Sequence, residues 1–187
     1  MRGMWSQSFP HPAQREGDRA PALWQGLQLL PGLNAVVGDE GSGKTRLLQA
    51  LARERPDALW LDLRLPEHAQ HTPRQFWDAL QARQPHWQAD WQADLTEALQ
   101  LGEHLDKALF MLSTGSRRKV ALVGLLASGA ALTCLDQPFA ALDLASVREL
   151  HGFLQDMAEH PTRAWWVADY EADPALPWRS VVHLTAP

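Results

Sequence analysis

Apolar residues along this chain change their spacing from one segment to the next, and the spacing predicts the elements. Short apolar runs at 27–30 and 34–37 predict two strands joined by a turn at Pro31 and Gly32. After a glycine-rich stretch, Leu47, Leu48 and Leu51 share one face of a helix over 45–53, which Pro56 stops. Leu59, Leu61, Leu63 and Leu65 then alternate with Trp60, Asp62 and Arg64, the period-two pattern of a half-buried strand. Helical periodicity resumes over 72–109 and divides near Gln84 and Pro85, where proline suits a first helical turn. Inside it, the repeat WQADWQAD sets Trp87 and Trp91 four apart, in one stripe with Leu95 and Leu99. That stripe predicts core packing, with an exposed aromatic ridge for a partner as the alternative.

The rest of the chain reads as a helix over 116–126, a strand over 131–135, a helix over 144–157, and strands over 164–168 and 181–184. Residues 1–21, rich in proline, glycine and charge, predict a loose N-terminal arm. Strands alternating with helices predict an α/β fold, a mostly parallel sheet flanked by helices on both faces. At 187 residues the chain is long enough for a single domain with a sizeable core.

Composition removes several classes of function. The net charge of −5 lacks the concentrated positive charge that a dedicated nucleic-acid surface needs. Cys134 is the single cysteine, so no internal disulfide forms, and its apolar surroundings suit a small buried hydrophobe in a reducing cytoplasm. The N-terminus has no apolar core of a secretory signal. The longest apolar stretch, 120–135, is interrupted by Gly124, Ser128, Gly129 and Thr133 and is shorter than the about 20 residues of a membrane helix.

Three short stretches carry chemistry. GDEGSGKT, with Gly38, Gly41, Ser42, Gly43, Lys44 and Thr45, matches G-x-x-x-x-G-K-T between a predicted strand and a predicted helix. Its glycines let backbone N–H groups converge on phosphate oxygens, and the helix N-terminus adds partial positive charge. Lys44 would then pair with the β- and γ-phosphates of a nucleotide, and the Thr45 hydroxyl would ligate Mg²⁺. Downstream, the apolar strand ALTCLD ends in Asp136, where a carboxylate holds the Mg²⁺ shell in a phosphate-loop enzyme. The third stretch, LSTGS, sets Ser113 and Gly115 just before a helix. There a hydroxyl and an exposed N–H form a second phosphate-binding element, or else an ordinary serine cap.

Phosphate loop, LSTGS, the strand ending in Asp136, and Ala141-Leu142-Asp143, in this order, resemble the ATP-binding cassette (ABC) ATPases over about 27–184. The resemblance implies a P-loop NTPase fold, with 72–109 a short helical subdomain that in transporters meets the membrane partner. In that family an L-S-G-G-Q motif of one subunit covers the ATP held by another. Leu112, Ser113 and Gly115 match it, Thr114 and Ser116 depart, and Asp143 matches a loop that crosses the dimer interface. Gln137 occupies the position of the catalytic glutamate; an amide can orient water but cannot accept its proton. Asp169, or Ala168 with a slip of one, falls where the family has a switch histidine, and a carboxylate there repels phosphate. With one strand between the first helix and the helical region, the antiparallel β-subdomain is trimmed. Gln70 is the nearest candidate for the family's Q-loop glutamine, and Trp5, Phe9 or Trp24 for adenine stacking.

The resemblance therefore implies a cytoplasmic ATP-binding subunit with weak or absent hydrolysis. It would dimerise on ATP, with itself or a related subunit, and energise or regulate a separately encoded membrane partner. The alternative is a non-transport ATP switch that dimerises and recruits a partner. A nucleic-acid-repair cassette is disfavoured by the acidic balance and the lack of a long heptad insertion.

Overall fold

Gly32–Val37 is a run of six buried residues, and it forms an interior strand, β1, of the computed structural model, which describes residues 29–185. A strand buried on both faces is what a parallel sheet covered by helices requires. The chain continues through α1 (Lys44–Glu54), β2 (Ala58–Trp60), α2 (Pro73–Gln81), α3 (Ala89–Ala98) and α4 (Thr114–Ala127). It ends with β3 (Leu132–Asp136), α5 (Leu144–Met157), β4 (Ala164–Asp169) and β5 (Ser180–His183). The strands form one five-stranded sheet in the order β2-β3-β4-β1-β5, and every neighbouring pair is parallel.

Adjacent tryptophans on β4 show how the faces are filled. Trp165 and Trp166 are both fully buried, and strand geometry sends them to opposite sides of the sheet. Trp166 packs in the cluster that holds Leu47, Leu48 and Leu51 of α1. Trp165 belongs to the larger cluster, with Leu122 and Leu125 of α4 and Leu150 and Leu154 of α5. Helices thus cover both faces. Because all five strands run the same way, their C-terminal ends open on one edge, where α/β folds of this kind place their ligands.

Three expectations need correction. The strand foreseen over 59–65 stops at Trp60. Asp62 accepts hydrogen bonds from the Arg64 backbone N–H at 2.9 Å and from its guanidinium, and the Leu65 N–H closes a turn onto the Asp62 carbonyl. Leu63 and Leu65 still reach the core, but through that turn and a left-handed Leu65 rather than through a ladder. The helical region is also more broken than its periodicity suggests. Pro85 sits in a turn, α3 starts at Ala89, and beyond Ala98 only short 3₁₀ turns at Gly102–His104 and Leu109–Met111 remain. Of the strand expected over 27–30, Leu29 and Leu30 are not in a strand, and 27–28, like the 1–21 arm, lie outside the described residues.

The tryptophan stripe packs inward. Trp87 and Trp91 lie half-buried against the larger core cluster, Trp91 meets Phe153 edge-on at 5.3 Å, and Leu95 and Leu99 are buried. Nearby, Trp77 of α2 donates its indole N–H to the Val120 carbonyl of α4 at 2.9 Å, fastening α2 to the helix that follows LSTGS. The start of α2 is fixed by a capping box: Thr72 accepts from the Gln75 N–H while the Gln75 side chain accepts from the Thr72 N–H. Thr72→Ala is expected to cost about 1 kcal/mol. In a chain of this size that is roughly 2–4 °C of thermal midpoint, measurable by circular dichroism. Among the described residues, no helix is long and apolar enough to cross a membrane.

Candidate nucleotide site

The phosphate loop runs from the end of β1 into α1. Gly41 and Gly43 hold φ of 79° and 94°, a left-handed backbone that side-chain-bearing residues rarely adopt. Successive turns of this kind aim N–H groups into a shared concavity. Gly43 caps α1 with no side-chain hydrogen bond, so the first amides of the helix stay available to an anion. Lys44 is buried, and its ammonium lies within the loop. It donates to the carbonyls of Gly38 at 2.5 Å and Asp39 at 2.8 Å and contacts Ser42 Oγ at 3.5 Å, and the Tyr170 ring centroid is 5.0 Å away.

The end of β3 brings the acidic partner. The Thr45 hydroxyl lies beside the Asp136 carboxylate, where hydrogen bonding favours the charged form, and two hard oxygen ligands come together at the mouth of the loop. Burial pushes the Asp136 carboxyl upward; the Thr45 bond and the charges of Lys44 and Arg118 oppose that, and Asp62 adds to it. One residue on, Gln137 turns the chain with φ at 46°, an uncommon conformation for a residue with a long side chain. Three bonds hold that turn: its N–H donates to the Ala168 carbonyl at 2.8 Å, and its own carbonyl accepts from the Ala140 N–H at 3.2 Å and from Arg118 Nη2.

These groups line one cleft of about 600 Å³. Of the residues singled out in the sequence, Gly41, Gly43, Lys44, Thr45, Asp136 and Gln137 border it, and Gly38 and Ser42 contact the Lys44 ammonium from within the loop. Asp169 does not border it. Its carboxylate accepts from the Tyr170 N–H at 2.8 Å, and Tyr170 lines the cleft in its stead.

Ser113, Gly115 and Asp143 lie outside this cleft and close to one another. Ser113 Oγ accepts from the Ser116 N–H at 3.0 Å and so caps α4. A Cβ on Gly115 would stand 2.6 Å from the Ala141 carbonyl oxygen, so only glycine permits that approach. Asp143 caps α5 through the Ser146 N–H at 2.8 Å and pairs with Lys119 at 2.6 Å. The Lys119 hydrogen bond, then the Ser146 N–H, hold its carboxyl well below the usual carboxylate range. The LSTGS turn and the Asp143 loop therefore form one fixed polar surface beside the cleft.

Sequence reading missed Asp62, Arg64, Arg118 and Tyr170, all of which border the cleft. Asp62 and Arg64 interrupt a leucine alternation, which is the one local hint of them. Arg118 hides in the basic run Arg117-Arg118-Lys119, and Tyr170 follows the last strand residue of β4. Gln70 is exposed and takes no part in the cleft, while Trp5, Phe9 and Trp24 lie outside the described residues.

Comparison with known proteins agrees with this geometry. The family model for ABC transporters matches residues 32–140, from β1 to just beyond Gln137. The cytochrome c biogenesis ATP-binding export protein CcmA of Hyphomonas neptunium is 36% identical over 141 residues, 69% of this chain and 72% of that protein. The sulfate/thiosulfate import ATP-binding protein CysA of Nephroselmis olivacea is 34% identical over 149 residues, 67% of this chain; the chain covers 43% of that relative's length. Among solved structures, an ATP-binding subunit of an ABC transporter superposes with a TM-score of 0.63 at 14% identity, covering 73% of this chain and 68% of the other. At that identity the likeness is one of fold.

Proposed function

This chain belongs to the ABC transporter family of ATP-binding proteins, and from that membership we propose a specific role. It is a cytoplasmic subunit that binds MgATP, closes around it as a dimer and energises or regulates a separately encoded membrane partner, with weak or absent hydrolysis of its own. The observation that carries the nucleotide part is the convergence of Lys44, Thr45 and Asp136 on one cleft at the C-terminal edge of a parallel sheet. The import and export relatives, both ATP-binding proteins by name, support the membrane partner.

Each group has a task in that reading. The amides of the loop and the first turn of α1 bind phosphate oxygens. The Lys44 ammonium exchanges the Gly38 and Asp39 carbonyls for the triphosphate. A hydroxyl and a carboxylate side by side suit Mg²⁺, a hard cation that takes oxygen ligands, so Thr45 and Asp136 would hold it. When bound, Mg²⁺ neutralises charge on the phosphates. Gln137 borders the same cleft and can orient a water, but no carboxylate in its place accepts the water's proton. That supports slow turnover.

Ser113, Gly115 and Asp143, outside their own chain's cleft, suit contact with the nucleotide held by a second subunit. The molar mass by light scattering is expected to double in MgATP and to stay monomeric in MgADP. Equal mass in both, above the ATP affinity, contradicts a homodimer closed by the nucleotide. Co-purification with a polytopic membrane protein tests the transport part; recovery with a soluble partner alone favours the ATP switch.

A further inference from the structure

We propose that Arg118 is a second phosphate-binding cation of this cleft, donating from α4 to the terminal phosphate of the nucleotide held by its own chain. The proposal rests on the MgATP reading of the site and assigns a residue to it that the phosphate loop does not contain.

Arg118 belongs to α4, which packs on the opposite face of the sheet from α1, yet its side chain borders the cleft beside Lys44, Thr45 and Asp136. It arrives at the end of β3, where its Nη2 meets the Gln137 carbonyl and Asp136 and Thr45 line the same cleft. That is the Mg²⁺ end of a phosphate-loop site, where the β- and γ-phosphates lie.

Its surroundings suit an anion. The guanidinium is half-buried, and burial pushes its pKa down while Asp136 and Asp62 oppose the shift. It remains charged at neutral pH, as arginine does in proteins. Its Nη2 donates to the Gln137 carbonyl, but its Nε is buried and has no acceptor among the described residues. A buried donor without an acceptor calls for a ligand, since leaving it unpaired costs the full desolvation of that group. Asp136 attracts Arg118 by charge but does not accept from its Nε, and it is the residue suited to the metal.

The Nη2 bond gives Arg118 a second effect. Gln137 sits in a left-handed conformation, and Arg118 holds the carbonyl of that strained residue. With the Ala140 N–H on the same carbonyl, Arg118 helps to hold the turn that aims the amide, and it supplies charge beside it. A glutamine that orients water and an arginine delivered in cis form a known division of labour in phosphate-loop enzymes without a carboxylate base.

Calorimetric titration of the full chain with MgATP and with MgADP separates a phosphate contact from a structural clamp. The wild type is expected to prefer MgATP. Arg118→Met keeps much of the stem and removes the charge; it should weaken MgATP by about 10- to 100-fold, as for a lost charge-assisted bond. MgADP affinity should stay within about threefold, because ADP lacks the γ-phosphate that Arg118 is proposed to meet. Arg118→Lys should regain part of the preference, having the charge without the planar fork. Parallel loss of both nucleotides marks Arg118 as structural and overturns the proposal, as does a wild-type ATP-to-ADP ratio in Arg118→Met. A wild-type chain that binds neither nucleotide overturns the underlying reading, and this assignment with it.

Discussion

Gln137→Glu is expected to raise steady-state ATP hydrolysis by at least about tenfold, because it restores a proton acceptor where the cleft has an amide. General-base catalysis is typically worth about 10²–10⁴-fold, and the structure places this case at the lower end. Arg118 Nη2 already binds the carbonyl of the residue, so the new carboxylate would lie near a cation that favours its charged form and weakens it as a base. The backbone should not object. The left-handed φ of Gln137 is held by bonds through its own N–H and carbonyl, which glutamate keeps. Phosphate release over time reads the rate, and calorimetry confirms that MgATP still binds. An unchanged rate with binding intact would show that the amide is not what limits turnover.

How much of this was legible beforehand depended on how far apart the cooperating residues lie in sequence. The phosphate loop was readable because its requirements are contiguous: glycines at left-handed positions, then lysine and threonine opening a helix. Asp136 was readable because an apolar strand delivered it, and β3 ends on it. The parallel sheet followed from the alternation of strands and helices. The length of β2 was not legible, since the leucine alternation over 59–65 says nothing of the Asp62–Arg64 contact that ends the strand. The tryptophan stripe gave its helix but not its start, because α3 begins only after the turn that contains Pro85.

The remainder of the cleft comes from long-range convergence. Asp62 leaves the end of β2, Arg118 reaches round from α4 and Tyr170 follows β4; no spacing rule joins positions so distant. Asp169 and Tyr170 make the point within two residues. Strand alternation alone does not say which of them borders the cleft, and the hydrogen bond from the Tyr170 N–H occupies the Asp169 carboxylate. Local motifs marked the loop and the end of β3, and the sheet edge decided which neighbours share their cleft.

Lys44 is central to the proposed nucleotide site. Its ammonium is buried in the loop, bridging the Gly38 and Asp39 carbonyls, and it is the cation the loop itself contributes. Truncating a charge-assisted contact costs about 1.5–3 kcal/mol, roughly 10- to 150-fold in affinity. Thermal unfolding without nucleotide should show Lys44→Ala still folded, since the core clusters lie away from that ammonium. The decisive measurement is a calorimetric titration of MgATP into the wild-type chain and into Lys44→Ala. The account predicts saturable binding by the wild type and binding at least about tenfold weaker by the variant; equally tight binding by both would contradict it.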